Sequence, residues 1–143
     1  MAIIKSYSDL EKIMANSIQI ALDNTANEIK DLITEFITMF YTEYNPHWYE
    51  RTFQFLNSCT KTEVKRNGNS FIVSVYIDYV NLDYKDATGY DVVDLANHGY
   101  HGIYNIETST HFWDDSIEVM TNSRYIQEQF AGFLRSKGWK VGE

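Results

Sequence analysis

One apolar stripe constrains this chain more than any other feature. Leu10, Ile13, Met14, Ile18, Ala21, Leu22, Ile29, Leu32, Ile33, Phe36, Ile37 and Phe40 recur at intervals of mostly three and four residues. That spacing lines one face of a helix. Ser8-Asp9-Leu10-Glu11 fits a capping box, with Ser8 accepting from a backbone N–H and Glu11 reaching back. Asn45-Pro46 stops the helix, because a residue before proline avoids the α region. An unbroken helix from Ser8 to Tyr44 would measure roughly 55 Å at 1.5 Å per residue, more than the width of a compact domain of this length. The stripe thins at Asn24-Thr25-Ala26-Asn27. Either the helix breaks there, or it projects and packs on a neighbouring subunit.

Strand signals follow. Residues 47–58 read as a short helix or an ordered loop. Thr60 to Arg66 and Asn69 to Val80 flank Asn67-Gly68, the sequence of a two-residue type I′ hairpin. Phe71, Val73, Val75, Ile77 and Tyr79 alternate with Ser74 and Asp78, so the odd positions are expected to face the core. Residues 81–110 are the least regular. Asp91–Asn97 is a candidate short helix stopped by Gly99, His98–Gly102 a flexible turn, and Ile103–Ile106 a further strand. A long loop of this kind serves contact or catalysis, or stays disordered until assembly. Phe112-Trp113-Asp114-Asp115 opens another helix, with acids suited to its N-terminus. Asn122-Ser123 reads as a break and a new cap. Ile126, Phe130, Phe133 and Leu134 form a second stripe, ended by Gly138. The order implies a single α+β domain over residues 1–143, a long N-terminal helix and C-terminal helices packed on a small antiparallel β-sheet.

Composition narrows the function classes. The chain carries 12 Lys and Arg against 20 Asp and Glu, a net charge of −8. Such a surface does not suit general DNA or RNA binding, which neutralises phosphates with cations. No apolar run reaches the ~18 residues of a membrane helix, and the N-terminal residues turn polar too early for a secretory signal. The single Cys59 leaves no internal disulfide framework or multi-cysteine zinc site. Aromatic residues make up 15%, with eleven tyrosines. Some of these edge the core; the excess points to surfaces where proteins touch.

Chemical motifs are thin. There is no phosphate-binding glycine loop and no GxSxG elbow. His98-x-x-His101, with His111, Asp114 and Asp115 downstream, is the one candidate metal set, and it lacks the HExxH helix pattern. Adjacent Asp114 and Asp115 point about 100° apart on a helix, so helix-terminus charge explains them better than a shared proton. Cys59 reads as a small buried residue. No catalytic residue, metal or cofactor is expected.

Three segments carry a resemblance. They are Tyr44-Asn45-Pro46-His47-Trp48-Tyr49-Glu50-Arg51-Thr52 with Leu56-Asn57-Ser58, then Ala96-Asn97-His98-Gly99-Tyr100-His101-Gly102, then Phe112-Trp113-Asp114-Asp115 ahead of a closing helix and Lys137-Gly138-Trp139-Lys140-Val141. In this order they resemble the tail-completion or head–tail connection proteins of tailed double-stranded DNA phages. Where that family often carries Thr-Gly after its Tyr-x-Arg segment, this chain has Thr52-Phe53. The resemblance implies a non-enzymatic virion component at the neck or top of the tail. It implies a homo-oligomeric ring, six-fold or of other neck symmetry, assembled in the bacterial cytoplasm between the portal-side connector and the tail terminator. DNA would pass through the lumen without specific binding, which an acidic wall would favour. Tyr44, Pro46, Tyr49, Arg51, Tyr100 and Trp113 are the expected interaction residues. The rival readings are a small acidic inhibitor that mimics DNA, and a zinc-dependent hydrolase using His98, His101 and His111.

Overall fold

The computed structural model describes residues 4–43, 54–83, 88–98, 100–101, 104–105 and 111–142. Helix α1, Tyr7–Glu43, runs 37 residues without a break, roughly 55 Å at 1.5 Å per residue. It starts two residues earlier than Ser8 predicts. Ser6 Oγ accepts the Asp9 N–H at 3.2 Å, and the Asp9 carboxylate accepts the Lys5 N–H at 3.2 Å. Ser6-x-x-Asp9 thus supplies the reciprocal cap that Ser8 and Glu11 also offered, with a carboxylate at the positive helix end.

The stretch Asn24–Asn27 is not a break. Ala21, Thr25 and Ala26 are at most 1% exposed, and the Thr25 hydroxyl donates to the Ala21 carbonyl at 2.7 Å. The stripe thins because small side chains let neighbouring elements close in, so loss of large apolar residues marks tight packing. The N-terminal turns differ: no described residue before Ser17 is buried.

After residue 58 the chain runs back along α1 as a ribbon. β1 (Cys59–Lys61) pairs antiparallel with β4 (Val75–Ile77), and β2 (Lys65–Asn67) with β3 (Ser70–Ile72). Lys61 pairs with Val75 and Lys65 with Ile72. Residues 62–64 therefore oppose only 73 and 74, one extra residue, as in a β-bulge. Thr62 closes the gap: its N–H donates to the Ser74 carbonyl at 2.9 Å and its hydroxyl oxygen accepts the Ser74 N–H at 3.0 Å. Asn67 pairs with Ser70, so the loop residues are Gly68-Asn69, one later than predicted. Gly68 has φ +62, and Asn69 is not among the positive-φ residues. That is the glycine-first pattern of a II′ turn, whereas I′ needs positive φ at both positions. Alternation holds from Phe71 to Ile77 and fails at Tyr79, which is 45% exposed.

α2 (Gly89–Asn97) is capped by Thr88, whose Oγ1 accepts the Asp91 N–H at 3.1 Å. β5 (Tyr100–His101) and β6 (Tyr104–Asn105) pair antiparallel, so the strand predicted at Ile103 is preceded by a partner in the expected flexible turn. α3 (Phe112–Asn122) and α4 (Tyr125–Ser136) follow, separated by Arg124 in the left-handed region at φ 53. Ser123 caps α3 rather than starting α4: its hydroxyl donates to the Val119 carbonyl at 2.6 Å. α4 ends in a Schellman arrangement at Gly138, φ +90. The Trp139 N–H reaches the Leu134 carbonyl and the Gly138 N–H the Arg135 carbonyl. The whole is α+β.

One core cluster joins Ile33, Ile37 and Phe40 of α1 to Phe55, Cys59, Ile77, Ala96 and Phe112. Phe55 stands edge-on to Phe112 at 5.0 Å and to Phe40 at 6.2 Å. Full burial of such side chains contributes roughly 1.5–3 kcal/mol each. α4 adds no fully buried residue.

Candidate functional site

The core fixes a junction between α2 and α3, and the junction presents a surface. Asn97, the last residue of α2, receives two orphan donors of α3: its Oδ1 accepts from the Trp113 N–H at 3.0 Å and the Asp114 N–H at 3.1 Å. Its carbonyl lies 2.7 Å from His111 Nδ1. Asp115 reaches back to accept the His111 N–H at 3.0 Å, so the acids of this first turn act as cap and helix-terminus charge, as their position predicts. One amide side chain ties two helices end to end.

At the other end of α2 lies an exposed aromatic pole. Gly89, the first residue of α2, sits so close to the preceding turn that a Cβ there would fall 1.9 Å from the Tyr79 carbonyl oxygen. That approach sets Tyr79 against Tyr90, ring centroids 5.7 Å apart and edge-on. Tyr79, Val80 and Tyr90 are 45%, 79% and 59% exposed. Asp78, Asp83, Asp91 and Asp94 stand along the same segments, which hold no Lys or Arg among the described residues. The opposite pole is the hairpin. Arg66 lies 3.4 Å from Glu11 near the start of α1, and its guanidinium covers the Phe71 ring at 5.3 Å. Between the poles, Lys61 pairs with Asp23 at 2.5 Å. An open groove of about 460 Å³ beside the bulge is lined by the amides and carboxylates of Asn16, Gln19, Asp23, Asn24 and Glu63 together with the apolar Ile20 and Val64.

The expected site residues divide. Tyr44, Pro46, Tyr49 and Arg51 lie outside the described residues. Tyr100 belongs to β5. Trp113 is half-buried against the core, edge-on to Phe112 at 6.5 Å. Of the histidines, His98 Nδ1 lies 2.8 Å from the Asp94 carbonyl and His111 Nδ1 2.7 Å from that of Asn97. Carbonyls only accept, so Nδ1 carries the proton in both bonds. Among the described residues no three of His, Cys, Asp and Glu gather around one point. Cys59 is buried, as read from the sequence, and burial pushes its thiol up to about 11 against a partial opposing effect of Lys30. Tyr125, on α4, is also raised, by burial first and then by Glu28, Asp31 and Glu35 of α1. Sequence reading missed Tyr79, Val80, Tyr90, Gly89 and Asn97. The available signal was Thr88-Gly89 as a cap beside a tyrosine, two residues before Asp91.

A family model, YomN, matches residues 6–136. The chain belongs to the YomN family. The family is phage-associated, named for a protein of a Bacillus prophage. Neither curated proteins nor solved structures give a match. The YomN match spans α1 through α4 and so covers both poles, the junction and the core. No described helix of this YomN-family chain is long and apolar enough to cross a membrane.

Proposed function

We propose that this phage-associated protein is a structural component of the virion, at the neck or the top of the tail, which works by assembling into a ring and performs no catalysis. The observation that carries the reading is the exposed tyrosine pole. Val80 and Tyr90 stand open beside the close approach of Gly89 to the Tyr79 carbonyl. Clustered exposed aromatics are a feature of surfaces built for contact. A 37-residue helix with unburied first turns adds a projecting element. The carboxylates occupy several faces, Glu28, Asp31 and Glu35 on α1 and four aspartates at the tyrosine pole. That distribution favours an assembling subunit over a DNA mimic, which gathers its acids on one face. In the ring, connector and terminator proteins would lie above and below, and an acidic lumen would pass DNA without holding it.

The test is deletion of the gene from the phage, with electron microscopy of the lysate and mass measurement of the purified protein. The reading expects filled heads and tails that fail to join, and a purified chain that enters neck-containing particles when added back. Normal infectious particles from the deletion would refute it.

A further inference from the structure

We infer that copies of this chain join head to tail, the hairpin pole of one subunit seating on the tyrosine pole of the next. The inference rests on the ring reading and names its contact. The two poles lie at opposite ends of α1. Arg66 touches Glu11, whereas Ile77 packs in the cluster of Ile33, Ile37 and Phe40. Glu11 and Ile33 are roughly 33 Å apart along a helix rising 1.5 Å per residue. Each pole exposes apolar side chains: Tyr7, Met14 and Ile72 at 82%, 42% and 55% on one, Tyr79, Val80 and Tyr90 on the other.

Charge selects the pairing. The hairpin pole, residues 4–14 and 65–72, carries Lys5, Lys12, Lys65 and Arg66 against Asp9 and Glu11. The tyrosine pole, residues 76–83 and 88–98, carries four aspartates and no Lys or Arg. Tyrosine pole on tyrosine pole would oppose four carboxylates to four, and like charges across an interface are unfavourable. Hairpin pole on tyrosine pole brings opposite charges around apolar centres. A contact between two different patches does not saturate in a dimer; it closes a ring or continues as a filament. The occupant of each pole is therefore a second copy of this chain.

Native mass spectrometry of concentrated full-length protein tests this with Ile72→Asp, Val80→Asp and, as control, Val119→Asp on the exposed face of α3. The first two are expected to weaken self-association at least about thirtyfold, the scale of a central contact residue. The control is expected to leave it unchanged. Mixing Ile72→Asp with Val80→Asp is the decisive arm. The first variant keeps an intact tyrosine pole and the second an intact hairpin pole, so the mixture should form a one-to-one dimer and stop there. Circular dichroism of each variant should match the parent, since both sites are exposed. Parent assemblies left intact by both pole variants would overturn this contact while leaving the ring reading standing. So would equal weakening by Val119→Asp, or loss of assembly in both variants with no dimer in the mixture. A parent chain that stays monomeric at about 1 mM, where even weak contacts of that order are half-formed, and that enters no neck particle would overturn contact and ring together.

Discussion

Gly89→Ala and Gly132→Ala should change stability in opposite directions. Neither glycine has positive φ, so backbone strain does not separate them. In a helix, alanine is favoured over glycine by up to about 1 kcal/mol through lower chain entropy in the unfolded state. At Gly132, within α4, an added Cβ meets nothing within 4 Å, and that gain should appear as roughly 0.5–1 kcal/mol. At Gly89 the same methyl would lie 1.9 Å from the Tyr79 carbonyl oxygen and 2.8 Å from Leu82 Cβ. Ordinary contacts begin near 3.4 Å. The obstacle is backbone, so the 79–82 turn must move as a unit rather than rotate one side chain aside. Overpacking of this kind costs about 1–3 kcal/mol, occasionally more. At the helix start only part of the propensity gain is realised, so the net loss should be about 2 kcal/mol. For a chain of this length that corresponds to a fall of roughly 4–8 °C in Tm. Urea and thermal melts of both variants, followed by circular dichroism, check it. A Gly89→Ala protein as stable as the parent would show that α2 does not close on the Tyr79 turn.

Further outcomes follow from the same geometry. Phe55→Ala removes the ring between Phe40 and Phe112 and should cost about 3–5 kcal/mol, read as a shift in the urea midpoint with unchanged slope. Asn97→Ala strips the acceptor shared by the Trp113 and Asp114 amides and should cost about 1–2 kcal/mol, the scale of a lost cap. Hydrogen exchange should speed at those two amides before it does in α1. Cys59 titrates near 9.0 when unfolded and about 11 when folded, so the unfolded state loses its proton first as pH rises. The parent should therefore lose stability between those values relative to Cys59→Ala, and hold level with it below pH 9.0 apart from a constant offset. A thiol reagent at neutral pH should leave the folded protein unlabelled and take one equivalent on denaturation.

How much was legible depended on whether the deciding interaction was local. The stripe of α1, the Asn-Gly turn and Gly138 are local signals, and all appear within a residue or two of their predicted places; the proline stop at Asn45-Pro46 lies outside the described residues. Where two local signals competed, the sequence did not choose: Ser6 displaced Ser8 as cap, and the turn moved to Gly68-Asn69. Long-range effects escaped. The extra residue at 62–64 depends on how the ribbon follows α1, from Lys61 at Asp23 to Arg66 at Glu11. Tyr79 looked inward by alternation, but β4 ends at Ile77, and beyond it the alternating period no longer binds. Asn97 looked like a generic helix end; its capping of a helix sixteen residues later is a tertiary fact. The expected contact segment around Tyr49 and Arg51 lies outside the described residues, and the tyrosine pole escaped sequence reading because exposure, unlike periodicity, is set by everything else in the fold.

The core leaves one end of α1 less covered than the other. The cluster grips α1 at Ile33, Ile37 and Phe40, near its C-terminal end. From there toward Tyr7 the helix is held by the ribbon and by the C-terminal helices, and before Ser17 no described residue is buried. Yet Leu10, Ile13 and Met14 continue the same apolar stripe into that arm. A helix gains most of its stability from packing an apolar face rather than from propensity. An arm with such a face and little to pack it against is therefore the least stable part of α1 in the isolated chain and gains most when a surface arrives. The tyrosine pole is apolar and acidic, whereas the arm and hairpin are apolar, cationic and incompletely covered. In the proposed head-to-tail contact, the arm is the side whose packing the neighbour would complete. If copies join in the proposed way, ordering of the arm and growth of the assembly are one thermodynamic step, with the C-terminal part of α1 kept in the subunit's own core.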